Sequence, residues 1–272
     1  MMRSLWTAAS GMKGQQTNVD TIANNLANVN TTGYKTQTTQ FKTLLYQTLQ
    51  EETTTATGDV KPTTAQVGLG TRVASINSIY TQGIQTASDN KSALYINGQG
   101  FFAVRGADNK TYYTRNGDFG WSLDANGRRV LTNSDGLEVL DNRGNPIRLP
   151  DEAGTDAVTF GTDGAVAYRR PDGTYTQTGQ SVALYQFANP VGLEKNGSNL
   201  LSVSNNSGQP RNEANTNGLI RSTIAQGYIE GSNVNVADEM VNMIIAQRAY
   251  EMNSKAITTS DSMLDTANNL KR

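Results

Sequence analysis

Ala23-Asn24-Asn25-Leu26-Ala27-Asn28-Val29, continuing to Gly33-Tyr34-Lys35, closes an amphipathic pattern that begins at Leu5. Leu5, Met12, Val19 and Leu26 fall seven residues apart, and Ala8, Gln15, Ile22 and Val29 repeat at the same interval, offset by three. Two such tracks sustained over almost four heptads are the pattern of a helix that packs against another helix. Thr31-Thr32-Gly33 supplies a stop, because glycine enters the left-handed conformation beyond a helix end without steric cost. A second stripe lies at the other end of the chain, where Val236, Met243, Tyr250, Ile257 and Leu264 are again seven apart. The pattern predicts two terminal helices that zip together, with everything else looped out between them.

The bulk composition narrows the function. Of 272 residues 36% are hydrophobic and the formal net charge is −1. A modest core and much polar surface follow, with no electrostatic footprint for nucleic acid or anionic lipid. No apolar run approaches the roughly 20 residues that span a bilayer, and the first residues carry no apolar core of a secretory signal, so neither direct membrane insertion nor a cleaved leader is expected. Cysteine and histidine are both absent. That removes thiol nucleophiles, disulfides, Ser-His-Asp triads and the usual zinc sites together, and no metal or cofactor is expected.

Between the stripes the periodicity changes. Phe41-Lys42-Thr43-Leu44-Leu45-Tyr46 is a short apolar run that suits a helical turn or a strand. Residues 50–64 are polar, Thr-rich and aperiodic, and read as an extended loop. From Val67 to about Ile224 short β-branched and aromatic runs alternate with turn dipeptides: Asn116-Gly117, Asn126-Gly127, Asp135-Gly136, Asp163-Gly164, Asp172-Gly173 and Asn196-Gly197. These supply the positive φ angles of tight hairpins, and their close spacing predicts antiparallel pairing. After Gly231, Asn235 is the expected N-cap, and Asp238 and Glu239 in the first turn complement the helix dipole; Lys271 and Arg272 sit at the opposite, favourable end. The expectation is an α+β chain: residues 1–33 an N-terminal helix, 34–66 a linker and polar loop, 67–225 a central antiparallel β-rich domain, and 226–272 a C-terminal helix. The two terminal helices are expected to form an α-helical coiled-coil core.

Several short motifs carry no chemistry here. Gly98-Gln99-Gly100-Phe101-Phe102-Ala103 matches a dinucleotide fingerprint, but that motif needs a helix after it, and Phe101-Phe102-Ala103-Val104 continues as strand. A tight turn between strands is the simpler reading. Ser10-Gly11-Met12-Lys13 and Ser88-Asp89-Asn90 match two elements of a penicillin-binding acyltransferase, but the third, K-T-G, is missing. The Asp-rich turns lack the acidic residue that closes a calcium loop. Asn24, Asn25 and Asn28 are more telling. Asparagine competes with the helix backbone for hydrogen bonds, so three within five positions are either a solvated face or amides that bond to neighbouring chains. Because an amide donates and accepts, it suits a repeating contact between identical subunits.

The run Ala23 to Lys35 resembles the N-terminal signature of the bacterial flagellar rod and hook axial proteins. Ser232-Asn233-Val234-Asn235-Val236-Ala237-Asp238-Glu239-Met240-Val241-Asn242-Met243 and Gln247-Arg248-Ala249-Tyr250-Glu251-Met252-Asn253-Ser254-Lys255-Ala256 resemble its C-terminal signature. Asn97-Gly98-Gln99-Gly100-Phe101-Phe102 and Tyr113-Thr114-Arg115-Asn116-Gly117-Asp118-Phe119 are similar to two internal family segments. Chain length, and Leu44-Leu45-Tyr46-Gln47-Thr48-Leu49 followed by a polar stretch, resemble the distal-rod branch, with the proximal rod or a hook-like axial protein as the alternative.

The resemblance implies a structural, non-enzymatic subunit that polymerises helically into a rigid tubular shaft. It implies passage through the flagellar type III export apparatus without a cleaved signal peptide, a place in the basal body outside the cytoplasm, and neighbours among other rod, hook and hook-junction proteins and the bushing rings of the envelope. The residues expected at subunit contacts are Leu5, Met12, Val19, Ile22, Asn24, Asn25, Leu26, Asn28 and Val29, with Val236, Met243, Tyr250, Ile257 and Leu264. Two other classes remain from the residues alone. One is a wall-cleaving hydrolase using a carboxylate pair such as Asp118 and Asp124, which their spacing does not support; the other is an adaptor that joins axial filaments without forming a tube.

Overall fold

A computed structural model describes residues 2–50, 64–124, 127–150, 154–170 and 172–270. The chain divides into two units. One comprises Met1–Ala27, Gln37–Ser78 and Asn235–Arg272, and the other Asn28–Thr36 and Ile79–Val234. The architecture is α+β, with a helix at each end of a β-rich chain.

In the first unit, α1 spans Met2–Ala27 and α2 spans Val236–Asn269. Asn235 caps α2 as the sequence predicts: its side chain accepts from the Ala237 N–H at 3.1 Å and its amide donates to Asp238 at 2.7 Å. Lys271 and Arg272 lie outside the described residues. Helix α1 ends at Ala27, six residues before Gly33. Asn28 C=O accepts from Thr31 N–H at 3.1 Å, closing a turn, so Val29 falls beyond the helix and out of the heptad stripe. Gly11 and Gly14 weaken α1 locally but allow close approach. A Cβ at Gly14 would stand 3.1 Å from the Phe41 ring, and one at Gly11 2.9 Å from Asn253 Nδ2.

The span read as a linker from residue 34 carries strands. Strand β1, Gln37–Thr43, pairs antiparallel with β4, Thr71–Ser78, from Gln37 opposite Ser78 to Thr43 opposite Thr71, with a bulge at Gln40/Phe41. Between them β2, Tyr46–Gln50, pairs with β3, Ala65–Gly68. Phe41 to Tyr46 therefore runs out of one strand and into the next. Of the loop read at 50–64, residues 51–63 lie outside the described residues.

The second unit is antiparallel throughout, as the turn spacing predicts. A nine-stranded sheet is built around Phe101–Arg105, which pairs with Thr111–Thr114, Glu138–Val139 and Leu184–Gln186. Both faces of that strand are buried. Phe102 and Val104 join Leu94, Ile96, Phe119, Leu131 and Val139 in one cluster. Phe101 and Ala103 join Tyr113, Leu140 and Phe187 in the other, where the rings meet edge to face. Burying each large apolar side chain contributes roughly 1.5–3 kcal/mol. Strands Val158–Phe160, Ala165–Arg169 and Tyr175–Ser181 form a separate sheet, and Leu94–Asn97 pairs with Thr223–Gln226 and Gln85–Ala87 with Tyr228–Glu230. Five of the six predicted turn glycines have positive φ: Gly127, Gly136, Gly164, Gly173 and Gly197. Gly117 does not. Its role is close approach, since a Cβ there would lie 1.7 Å from the Leu94 carbonyl oxygen. Gly98, with φ of 140°, makes the turn between Leu94–Asn97 and Phe101–Arg105, and no helix follows it.

Candidate assembly surface

The helices pair antiparallel, but mainly not through their most apolar residues. Ser4 and Ser260 hydroxyls lie 3.4 Å apart, Gly11 backs onto Asn253, and Asn25 donates to the Glu239 carboxylate at 3.1 Å. On α2 the buried positions are Glu239, Ala246 and Ser260. They lie three residues after members of the Val236-to-Leu264 stripe and, with half-buried Asn253 between Ala246 and Ser260, fall on one seven-residue track, the second of the same heptad. Sequence reasoning missed them because a hydrophobic pattern does not register Glu, Ala and Ser. Their signal was the interval itself.

The predicted contact residues divide accordingly. Ile22 is buried, and Leu5, Met12, Val19 and Leu26 are half-buried. On α2, Met243, Ile257 and Leu264 are half-buried, whereas Val236 and Tyr250 are 39% and 41% exposed. Asn24 is exposed, and Asn28, half-buried, accepts from the Thr31 hydroxyl at 3.1 Å. Asn25 is completely buried. Its Oδ1 accepts from Gln37 N–H at 2.9 Å and its Nδ2 donates to Gln37 C=O at 2.8 Å, besides Glu239. Within the single chain the Asn25 amide is thus engaged by Gln37 and Glu239.

The opposite face of α2 carries the apolar surface. Val241, Ile244, Ile245 and Met252 are each more than half exposed. At 100° per residue Val241 and Ile244 fall on the side away from Glu239, Ala246 and Ser260, and Ile245 and Met252 on its flank. This inverts the amphipathic rule, in which the apolar stripe faces the core. On α1, Trp6 is 74% exposed. Shallow surface lined by Gln16, Val19, Gln247, Tyr250 and Glu251 lies along the helix pair.

In the β-rich unit, sequence segments far apart meet at a buried ionic cluster. Lys35 Nζ stands 2.6 Å from Glu230 Oε1 and donates to Thr81 C=O at 2.8 Å. Arg115 Nη1 stands 3.4 Å from Glu230 Oε2, and its Nη2 donates to Gly98 C=O at 2.6 Å. Its guanidinium carbon lies 5.2 Å from the centre of the Phe101 ring. Burial lowers Lys35 below its ordinary value against the opposing pull of Glu230, and burial lowers Arg115 in the same way. Gly33, with φ of 70°, fits only without a Cβ, which would lie 2.6 Å from Asn116 N. Nothing in the sequence pattern singled out Glu230.

Asp118 accepts from Asn90 and Asp124 pairs with Arg148 at 3.4 Å, so each carboxylate has its own partner. Among the described residues no group of side chains is arranged to hold a metal ion, and no helix is long and apolar enough to cross a membrane.

Three family models match the chain: a flagella basal body rod protein model over residues 5–35, a flagellar hook protein FlgE/F/G D1 domain over residues 95–168, and a flagellar basal body rod FlgEFG protein C-terminal model over residues 225–270. The chain is 44% identical to the flagellar basal-body rod protein FlgG of Borreliella burgdorferi, over 100% of both chains. It is 39% identical to FlgG of Bacillus subtilis, also over 100% of both. Identity falls to 29% against the flagellar hook-basal body complex protein FlhP of Bacillus subtilis, over 100% of both, so the alternative axial readings are not favoured. Gly33, Lys35, α2 and α1 from Leu5 onward lie within the matched segments, and the chain belongs to the FlgG family of structural subunits of the distal rod of the flagellar basal body.

Proposed function

We propose that the chain polymerises helically into a stiff tube, with the two terminal helices of each subunit joining a continuous coiled-coil wall. The observation that carries this reading is the exposed apolar face of α2. Val241, Ile244, Ile245 and Met252 lie outside a seam already occupied by α1. A contiguous exposed apolar surface marks an interaction site, and identical subunits in a helical array each present and cover the same surface. Within this reading the chain leaves the cytoplasm through the flagellar type III apparatus, resides outside the cytoplasm, and abuts other rod and hook proteins at the ends of the tube. It catalyses no reaction. Electron microscopy of the concentrated, purified chain tests the proposal. Straight tubes of constant diameter are expected, and single subunits at every concentration would overturn it.

A further inference from the structure

Asn25 and Glu239 stand at one end of a register that runs the length of the helix pair. Ser4 meets Ser260, Gly11 meets Asn253 and Asn25 meets Glu239, so each step moves forward on α1 as far as it moves back on α2. The remaining step of the series pairs Asn18 with Ala246. Three of these four steps do little to define an axial position. Gly11 has no side chain, Ala246 has a single methyl, and the two serine hydroxyls meet only at 3.4 Å while Ser260 donates within its own helix to Ala256 C=O at 2.8 Å. A seam of small groups is smooth, and its apolar burial changes little when one helix slides along the other by a heptad, about 10 Å at 1.5 Å per residue.

The Asn25 step is different. Glu239 is 8% exposed and Asn25 is completely buried. A carboxylate withdrawn from water must be hydrogen-bonded, and Asn25 Nδ2 supplies a donor. Asn25 is itself held in place, because its amide closes a two-bond ring with the Gln37 backbone at the start of β1. Glu239 is thus matched to a donor that cannot follow it if α2 shifts. One sense of slip would set Ala246 opposite Asn25. The other would carry Glu239 to Asn18, an asparagine one heptad away that lacks this brace to the Gln37 backbone.

We propose that Asn25, braced by Gln37, is the register-setting residue of the helix pair, and that it selects one axial position for α2 through Glu239. Buried polar residues at helix interfaces are well suited to this role, because a misplaced register leaves them unpaired. The consequence for assembly rests on the polymer reading above. A tube of identical subunits needs the apolar face of every α2 at the same height on its own α1, and a smooth seam alone does not provide that.

The chain has no cysteine, so an introduced pair reports register without interference. In the soluble full-length subunit, Ser4→Cys with Ser260→Cys reads the native register. Ser4→Cys with Asn253→Cys reads a slip of one heptad. With the parental Asn25 and Glu239, only the first pair is expected to oxidise efficiently. In Asn25→Ala and Glu239→Ala backgrounds, the native cross-link is expected to fall at least about twofold while the slipped one appears. Glu239→Gln retains an acceptor for Asn25 Nδ2 and is expected to keep the parental pattern. An unchanged pattern in both alanine backgrounds overturns the proposal. Ser4→Cys with Ala267→Cys reads the slip of the opposite sense, and loss of all three cross-links also overturns the proposal, since it would make Asn25 a docking residue instead of a register selector. Because the cross-links are read in the single chain, this outcome is independent of whether the chain forms tubes.

Discussion

Lys35 and Glu230 are separated by 195 positions in sequence and by 2.6 Å in space. Their side chains are 5% and 1% exposed. The segment that follows α1 and the strand that precedes α2 are thereby joined inside the β-rich unit. The pair is not isolated: Gly83 N–H donates to the same Glu230 oxygen at 2.9 Å, and Arg115 approaches the other. Taking such charges out of water costs several kcal/mol per ion, which their mutual attraction and hydrogen bonds must offset. The cluster therefore contributes little net stability while it is complete and becomes costly once broken.

Glu230→Gln breaks it in the least disruptive way. Lys35 then stays buried without a carboxylate beside it, Arg115 keeps only the weaker pull of Glu213, and burial, the larger influence on Lys35, is no longer opposed by Glu230. The expected loss of stability is about 3–5 kcal/mol. Urea unfolding of the full chain, followed by the fluorescence of half-buried Trp121, measures it. A loss under about 1 kcal/mol would contradict the argument.

Tyr113 gives a pH test. It is 3% exposed among Tyr185 and Phe187, and burial first, then Tyr185, pushes its phenol well above the ordinary value of 10.0. The folded state therefore holds this proton more tightly than the unfolded chain. Its contribution is fully present below pH 10 and is lost as pH rises toward the folded-state value. Lys35 acts in the opposite sense between its lowered value and 10.5, but it is common to both proteins when Tyr113→Phe is compared with the parent. The variant is expected to match the parent within about 1 kcal/mol at pH 8, and to lose less stability than the parent between pH 10 and 12. Parallel curves in urea titrations across that range would contradict it.

Gly33→Ala tests close packing against backbone strain. Gly33 has φ of 70°, and an added Cβ would stand 2.6 Å from Asn116 N and 2.8 Å from Arg115 C. Both obstacles are backbone and have little freedom to move. Gly179 has a similar φ of 74° with nothing within 4 Å. Gly179→Ala therefore carries the conformational cost alone, about 1 kcal/mol. Gly33→Ala is expected to exceed it by at least about 1–2 kcal/mol. Equal shifts in the urea midpoint would show that the segment moves aside.

The parts legible in the sequence were those written in apolar period or turn chemistry. The terminal helices followed from two heptad tracks on the first and one on the second, the cap from Asn235, and the antiparallel sheets from glycine dipeptides. The other α2 track was silent because Glu239, Ala246 and Ser260 are not apolar, although they share its interval. Asn25 was read as a polar group facing outward, since sequence gives no means of knowing that Gln37 returns to meet it. The span 34–66 read as linker and loop because β1 is largely Thr and Gln and pairs with residues 28 to 41 positions away. Lys35 and Arg115 stood inside recognisable segments, but their meeting depends on Glu230, and long-range charge pairing leaves no local pattern.

Ile245 and Ala246 are adjacent in sequence, and one helical step turns the first outward and the second inward. Ile245 is 61% exposed and Ala246 is 1% exposed. Introducing the same charge at each position separates assembly from folding. In Ala246→Glu a carboxylate enters a closely packed, buried part of the seam, at a cost of several kcal/mol unless it is neutralised or the helices part. Helix content by circular dichroism should fall and amide protection along α1 and α2 should be lost, while the β-rich unit keeps its own core. In Ile245→Glu the charge meets water in the single subunit. Stability should stay within about 0.5 kcal/mol of the parent and helix content should not change. Once a neighbour covers that face, however, the carboxylate would be buried without a partner, so tubes should fail to form at concentrations where the parent polymerises. Normal tubes from Ile245→Glu would remove the apolar face of α2 from the subunit contact. A folding defect in Ile245→Glu equal to that of Ala246→Glu would instead mean that this face is already covered within the single chain.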